Sequence, residues 1–313
     1  MTAPTTTDRG FALVAVLLVL GLLGLIGAEF AYSMRLEATA ARAYKEGIAA
    51  THLAEAAIEQ ATREIAGDFA FVAVDDDGVL TFYARDGKAL SRLPRTRVPL
   101  GTMGTFSYRI SDEEARLNLN TSPPDRFDRL LQGLGLTKAD RDTINDSLQD
   151  WRDANDEHRL NGAESDDYYL KLPVPYRAHN ANLESVSELL QIKGVTPEIY
   201  YGREGSRGLV DLVTVKSSQA LVNMNTASPE VLRAQGLSDA EIIDIVQSRH
   251  LGPFVVVPGR FGGRGLMVTT RTFRIEAEGL VDGVPRARVT AIIQRRQENA
   301  RQPMAVLEWS GVR

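Results

Sequence analysis

The sequence predicts an α+β protein: one long N-terminal helix, then strands that bracket a mostly helical middle region. Three observations predict it. The apolar run of residues 11–28 continues, without a proline, into a helix-favouring stretch that reaches Ala66. Segments of strand-like alternation punctuated by glycine turns bracket the chain, at 68–113 and again at 272–312. The region between them, from about Asp112 to His250, carries a mostly helical period. The expected division is a polar leader at 1–10, the long helix at 11–66 with 11–28 embedded in a membrane, the first strands of the sheet at 67–111, the inserted helical domain at 112–265 and the closing strands at 266–313.

Composition narrows the function classes. The chain has 313 residues, 43% hydrophobic and 25% charged, which fits two or three folded lobes. Its net charge of −5 is a poor match to a phosphate backbone. It has no cysteine, which excludes disulfides, thiol catalysis and Cys-ligated zinc. His52, His158, His179 and His250 are scattered without metalloprotease spacing. No nucleophile–base constellation or phosphate loop is present, and "GRFGGRG" at 259–265 lacks nucleotide-loop spacing and reads as a flexible loop. The expectation is that the protein is not an enzyme.

The eighteen residues Phe11–Ala28 are uncharged. At helical rise they span about 27 Å, close to the hydrocarbon thickness of a bilayer. A cleaved signal peptide would have a shorter apolar core and a small-x-small site, and a plain anchor is the simplest alternative. Alanine, leucine, glutamate and arginine dominate the continuation, and Gly67 ends it, so residues 11–66 read as one helix about 84 Å long. Gly21, Gly24 and Gly27 offer close helix approach within the membrane. Beyond the helix, "FAFVAV" and "VLTFYARDGKAL" read as two strands around a turn at Asp77-Gly78, and "GTFSYRISDE" as a third. A hairpin across Asp282-Gly283 and the strand "MAVLEWSGV" close the chain.

The middle region contains a near-repeat. "LNLNTSPPDRFDRLLQGLGLT" at 117–137 is echoed by "VNMNTASPEVLRAQGLS" at 222–238. Each has an Asn-x-Asn-Thr run, a helix with an early proline, a glycine turn and a second helix, the pattern of a helix-hairpin-helix-like unit. The asparagines read as satisfying backbone groups in the turn, with Thr121 or Ser122, and Thr226 or Ser228, capping the helix that follows. Such units also occur in DNA-binding proteins, including membrane-anchored competence receptors, which makes a membrane-anchored DNA-binding protein the alternative reading. Against it, residues 137–170 hold ten acidic side chains and four Lys or Arg, a surface that repels DNA.

Two groups of residues carry a family resemblance. Gly10 followed by Phe11, an apolar run and an extended helix resembles the signal of type IV pilins and of the pseudopilins of type II secretion systems. In that family prepilin peptidase cuts after the glycine and methylates the new N-terminus, which here is Phe11. The family's usual glutamate at mature position five is replaced by Ala15, as in the K-type minor pseudopilins. Asp150-Trp151-Arg152-Asp153, Gly162-Ala163-Glu164, Pro175-Tyr176-Arg177 with Asn180, and Ser187-Glu188-Leu189 resemble the K-type signature in the same order. The resemblance implies a pilin-like fold, in which the long N-terminal helix packs on an antiparallel sheet and a large helical domain is inserted between strands of that sheet, and a non-enzymatic subunit at the tip of a periplasmic pseudopilus. It implies a complex with minor pseudopilins of the I and J types, with the major pseudopilin, prepilin peptidase and secreted substrates as further partners and no nucleic acid. The implied setting is the bacterial inner membrane, crossed once, with the C-terminal body in the periplasm supporting export of folded proteins across the outer membrane.

Calcium is the one cofactor expected. "DANDEHRLNGAE" at 153–164 places Asp153, Asn155, Glu157, Asn161 and Glu164 at positions 1, 3, 5, 9 and 12 of an EF-hand-like loop, although His158 replaces the glycine at position 6. Asp150, Asp156, Asp166 and Asp167 add charge that a hard divalent ion would offset. The candidate ligands are Asp153, Asn155, Glu157, Glu164 and Asp167. The family resemblance implies calcium in the helical domain without naming its ligands.

Overall fold

The computed structural model describes residues 7–75, 78–217, 219–296 and 303–311, with the backbone alone for 7–10. In chain order the elements are α1 (Thr7–Ile65), β1 (Phe71–Val74), β2 (Leu80–Tyr83), β3 (Val98–Leu100), β4 (Gly104–Asp112), β5 (Leu117–Asn118), α2 (Pro124–Gly133) and α3 (Lys138–Arg152). There follow α4 (Pro197–Tyr201), α5 (Leu209–Leu212), β6 (Val213–Thr214), β7 (Val222–Asn223), α6 (Pro229–Ala234), α7 (Asp239–Arg249), β8 (Leu266–Met267), β9 (Thr272–Val281), β10 (Val284–Arg295) and β11 (Met304–Ser310).

Helix α1 is one unbroken helix of 59 residues, ending within a residue of its expected limit. Among the described residues it is the helix long and apolar enough to cross a membrane, with a mean hydropathy of 2.8 over its most apolar window. Its apolar side chains from Phe11 to Leu36 are exposed. Burial begins at Ala50 and recurs at Leu53, Ala54, Ala57, Ile58, Ala61 and Ile65, the helical stripe that packs on the sheet. Small residues bring the two layers together. A Cβ on Gly279 of β9 would lie 1.8 Å from the Ala50 carbonyl oxygen, so this position admits only glycine.

The sheet is antiparallel with strand order β11-β10-β9-β4-β3. Period-two alternation sends Phe106, Tyr108 and Ile110 of β4, Phe273, Ile275 and Ala277 of β9, and Val289, Ala291 and Ile293 of β10 into the core with α1. The β9–β10 hairpin turns at Asp282-Gly283 as expected, and both residues have positive φ (53° and 77°), the conformation of a type I′ turn. Strands β1 and β2 differ from expectation. They form a separate two-stranded ribbon, joined to the core by Phe69 and Phe82 against Phe273. Of the turn between them, Asp77 lies outside the described residues.

The helical insertion leaves the sheet after Asp112 and returns at Thr272, positions adjacent in the β4–β9 pairing, where Asp112 faces Phe273. Leu266–Met267 therefore belongs to the insertion, as the short strand that pairs with β7, and not to the closing strands as the sequence suggested. Within the insertion the near-repeat is a repeat of structure. Strand β5 pairs in parallel with β6, and β7 with β8. Asn118 Oδ1 accepts from the Asn120 amide (2.9 Å), and Asn223 Oδ1 from that of Asn225 (3.1 Å). The second asparagine of each pair clamps an incoming loop at both backbone groups. Asn120 binds Leu183 N–H and C=O (3.0 and 2.9 Å), and Asn225 binds those of Phe254 (2.8 and 3.0 Å). Both hairpins turn on a glycine of positive φ, Gly135 and Gly236. Ser228 caps α6 as expected, but neither Thr121 nor Ser122 caps α2. Pro123 stands at that position, and Thr226 is turned to Asp112. Nor is 259–265 a flexible loop. Phe261 is buried, Arg264 donates to Gly236 O (2.6 Å), and Arg260 pairs with Asp244.

Three buried carboxylates hold the junction between sheet and insertion. Asp112 accepts from Glu114 N (2.8 Å), Asn223 Nδ2 (2.7 Å), Thr226 Oγ1 (2.6 Å) and Thr270 Oγ1 (2.6 Å). Burial raises its carboxyl to about 7, helped by the charge of Glu114 and opposed by its hydroxyl and amide donors. Glu113 receives two bonds from Arg274 (2.9 and 2.8 Å), one from Thr214 (2.6 Å) and one from Arg116. Burial opposes its charge, but the two guanidinium groups prevail and hold the carboxyl at about 2. Glu114 accepts from Arg271 N (2.8 Å) and Thr272 Oγ1 (3.2 Å).

Because Glu113 titrates well below its ordinary 4.5, its contribution to stability is complete above that pH and is lost as pH falls toward about 2. Glu113→Gln should remove about 3 kcal/mol at neutral pH, since both arginines lose their buried counter-charge. It should also flatten the acid limb of the stability profile. Urea unfolding across the acid range checks both, and an acid limb unchanged by the substitution would assign that limb to other carboxylates.

Candidate functional site

The signature residues converge on the C-terminal end of α3. Asp150, fully buried, accepts from the amides of Arg159 (3.1 Å) and Ala163 (3.0 Å) and from Arg159 Nη1 (2.6 Å). Its carboxylate lies against Gly162, where a Cβ would come within 1.8 Å of Oδ2. Trp151 is buried edge-on against Tyr169 (5.2 Å between centroids) and Tyr176 (6.2 Å), and its indole N–H donates to Glu188 Oε2 (3.2 Å). His179 also reaches that oxygen (2.9 Å), while Oε1 accepts the amides of Ser185 (2.9 Å) and Glu184 (2.6 Å). Burial works against the charge on Glu188, but the Ser185 amide, Trp151 and the Glu184 amide outweigh it and hold the carboxyl below its ordinary range. Tyr176 Oη donates to Gln191 O (2.7 Å). Leu189 is buried. Each motif is thus a clasp that fixes a segment with little regular structure. From 153 to 196 the described helical turns are two 3-10 segments, Tyr169–Lys171 and Val186–Gln191.

The acidic loop is organised around a cation of its own. The Arg159 guanidinium bridges Asp150 (2.6 Å) and Asp153 (2.7 Å). Asn155 donates to Asp153 (2.8 Å) and accepts from the amide of Glu157 (2.8 Å). Asn161 donates to Asp146 (3.0 Å), Asp156 accepts from Asn180 (3.1 Å), and Asp167 accepts the Glu164 amide (2.8 Å). The EF-hand-like spacing therefore does not gather Asp153, Asn155, Glu157, Glu164 and Asp167 into one coordination shell. Among the described residues, no group of three or more acidic or histidine side chains is arranged to hold a metal. Neighbouring amides and Arg159 take oxygens of Asp153, Asn155 and Asp167 that the spacing offers to an ion. Glu164 differs. It is 2% exposed, and its Oε1 has no hydrogen-bond partner among the described residues. Burial, with the charges of Asp150, Asp153 and Asp156, raises its carboxyl to about 7, against one amide bond from Ser165. Its unpartnered oxygen is thus buried without a donor and within the field of three further carboxylates. Gly10 and Phe11 lie in the first turns of α1, with Phe11 79% exposed.

Gly162→Ala should lower stability by about 2–3 kcal/mol, because the added methyl must displace the Asp150 carboxylate from its three donors. Leu160→Ala in the same loop, at a residue 95% exposed, should change stability by less than about 0.5 kcal/mol. Equal effects in denaturant titrations would show that the clasp does not hold the loop.

Residues 109–202 match the family model described as type II secretion system (T2SS), protein K. The chain is 36% identical over 158 residues to the type II secretion system protein K of Pseudomonas aeruginosa, covering 47% of this chain and 45% of that protein. It is 34% identical over 116 residues to the protein K of Pectobacterium carotovorum, covering 37% and 33%. The chain thus spans less than half the length of these two relatives. A longer match, 24% identical over 261 residues and covering 77% and 75%, is to the putative type II secretion system protein K of Escherichia coli K12. A chain in the crystal structure of the GspK-GspI-GspJ complex from the type 2 secretion system of enterotoxigenic Escherichia coli shares the fold. Its TM-score is 0.55 at 20% identity, covering 70% of this chain and 83% of that one. The sequence resemblance to the K-type pseudopilins of type II secretion is therefore borne out, with the Asp150–Leu189 signature inside the matched region.

Proposed function

We propose that the chain is a non-enzymatic subunit at the tip of a type II secretion pseudopilus, where it joins I-type and J-type minor pseudopilins and supports export of folded proteins across the outer membrane. The observation that carries this reading is the combination of one exposed apolar helix half, a sheet packed on its other half, and a clasped helical insertion whose residues 109–202 match protein K. The fold shared with a chain of the GspK-GspI-GspJ complex supports the choice of partners. The two helix pairs are read as a duplicated helix-hairpin-helix-like unit within a pilin-like frame. The pairs pack on each other through α2 and α6, where Arg129 Nε donates to Ala234 O (2.9 Å), and the acidic character of residues 137–170 favours assembly over the DNA-binding alternative.

In this reading α1 is anchored in the inner membrane with the body in the periplasm. Prepilin peptidase cuts between Gly10 and Phe11 and methylates Phe11, and the exposed apolar half of α1 packs against the major pseudopilin and its neighbours. Ala15 suits a terminal position, where one neighbour and its N-terminal amine are missing and a buried acid would lack its partner. Secreted substrates would meet the insertion, the region that stands off from the anchor. Calcium is the proposed cofactor. Glu164, with Asp150, Asp153 and Asp156 nearby, would hold it, and the ion would supply the charge balance that Arg159 gives only to Asp150 and Asp153.

Three outcomes are expected. The mature N-terminus is Phe11, and Gly10→Val leaves the precursor uncut; N-terminal sequencing that finds Met1 retained, or a cut near Ala28, would reject the pilin-type signal. Full-length protein co-purifies with I-type and J-type subunits and shows no salt-sensitive binding to duplex DNA; the opposite pattern favours the DNA-binding reading. Millimolar calcium, at about 0.1–1 mM affinity, raises the melting temperature of metal-free protein more than magnesium does, and Glu164→Gln removes the gain. A melting curve indifferent to calcium and to chelator would exclude the ion.

A further inference from the structure

A second site lies at the junction of sheet and insertion and shares no residue with the acidic loop. A cleft of about 500 Å3 opens where the β1–β2 ribbon, β4 and the second helix pair meet. Four arginines line it: Arg109, Arg116, Arg207 and Arg249. One is already engaged: Arg116 is paired with Glu113 and donates to Asp211 O (3.1 Å). Arg109, exposed, stands opposite Glu276 in the β4–β9 register. The acidic residues around them are also largely committed. Asp112 is saturated by four donors, and Asp75 pairs with Arg92 (2.8 Å).

Arg249 is different. It ends α7, and among the described residues its guanidinium donates from Nη1 to Ala227 O (2.9 Å). Among the described residues no carboxylate pairs with it. Burial alone lowers its pKa to about 10. A half-buried guanidinium on the cleft wall leaves N–H groups to meet an anion there. Arg207, exposed at the rim of the same cleft, likewise has no carboxylate partner among the described residues.

We propose that this cleft binds a carboxylate, with Arg249 as the anchor and Arg207 as a second contact at the rim. The planar fork of arginine matches the two oxygens of a carboxylate. The choice over phosphate follows from charge and lining. Asp75, Asp211 and Glu276 also face the cleft, so a dianion would meet three fixed negative charges, whereas a monoanion meets less repulsion. Val74, Leu80, Ile110, Val231 and Val246 give the walls an apolar character that suits the hydrocarbon body of an organic acid. The volume accommodates either a small organic acid or the C-terminal carboxylate of a peptide with its last side chains.

The test is calorimetric titration of the full-length chain in detergent, at fixed ionic strength, with butyrate, an acetylated apolar tripeptide bearing a free C-terminus, the same tripeptide as its amide, and inorganic phosphate. The free-acid peptide or butyrate should bind saturably and the amide should not. The peptide binding more tightly than butyrate would identify a polypeptide end as the source, and equal affinity a small acid. Arg249→Gln should weaken binding at least about tenfold, Arg249→Lys less, since it keeps the charge and loses the fork, and Arg207→Gln about threefold. If Arg249→Gln fails to fold, the lysine and Arg207 variants decide. The proposal is overturned by the lack of saturable binding of either acid up to about 10 mM, by phosphate binding more tightly than both acids, or by a folded Arg249 variant that retains full affinity.

Discussion

The structure depends on three consecutive carboxylates. Asp112, Glu113 and Glu114 sit where β4 gives way to the helical insertion, and all three are buried. Together they tie the second repeat and β9 to that point. Asp112 reaches the second repeat through Asn223 and Thr226, Glu113 reaches β9 through Arg274, and Glu114 reaches the returning strand at Arg271 and Thr272. Burying three acids in a row is unfavourable unless every oxygen finds a donor. Here the donors come from both lobes, so satisfying the acids and fixing the lobes together are one event. Without the insertion the acids would lack Asn223, Thr226 and Thr214, and without the sheet they would lack Arg274 and Thr272.

The insertion repeats one solution twice. In each copy the first asparagine orders the turn before a helix, and the second grips both backbone groups of a loop that arrives from far along the chain. The copies differ in what lies between the clamp and the closing strand. In the second copy α7 runs to β8 over residues 250–265, a short link. In the first, α3 and β6 are separated by residues 153–212, the stretch that contains most of the Asp150–Leu189 signature and the acidic loop. That signature is therefore concentrated in the longer of the two connections, an extension that the other lacks. Most of its recognisable residues, Trp151, Gly162, Tyr176 and Glu188, are spent on holding that extension in place.

Elements with strong local signals were legible in the sequence. The helix of 59 residues, the hairpin at Asp282-Gly283 and both Asn-x-Asn repeats follow from composition, turn chemistry and repetition. The role of the carboxylate triplet was not legible, because most of its partners lie about 100 to 160 residues away in sequence and nothing local distinguishes Asp112 from a solvated acid. The one available hint was three acids in succession at the end of an apolar strand. The metal spacing was legible only as a count of oxygens, for a related reason. It counts oxygens along the chain, whereas Arg159, inside the same loop, neutralises two of the carboxylates. Glu164 stands among the ligands that the spacing suggests, but its burial and its unpartnered oxygen emerge only in three dimensions.

The placement of the insertion has a mechanical consequence. The chain leaves β4 and re-enters β9 at neighbouring pairs, so the whole helical body hangs from one end of two adjacent central strands. A pull on that body loads the β4–β9 seam from its end, the geometry in which ladder bonds break in succession instead of sharing the force. Asp112, Glu113 and Glu114 stand at the first pair of that seam, and their charge-assisted bonds are the first to take the load. A zip that is weak along its length is thereby closed at its opening by a strong clasp.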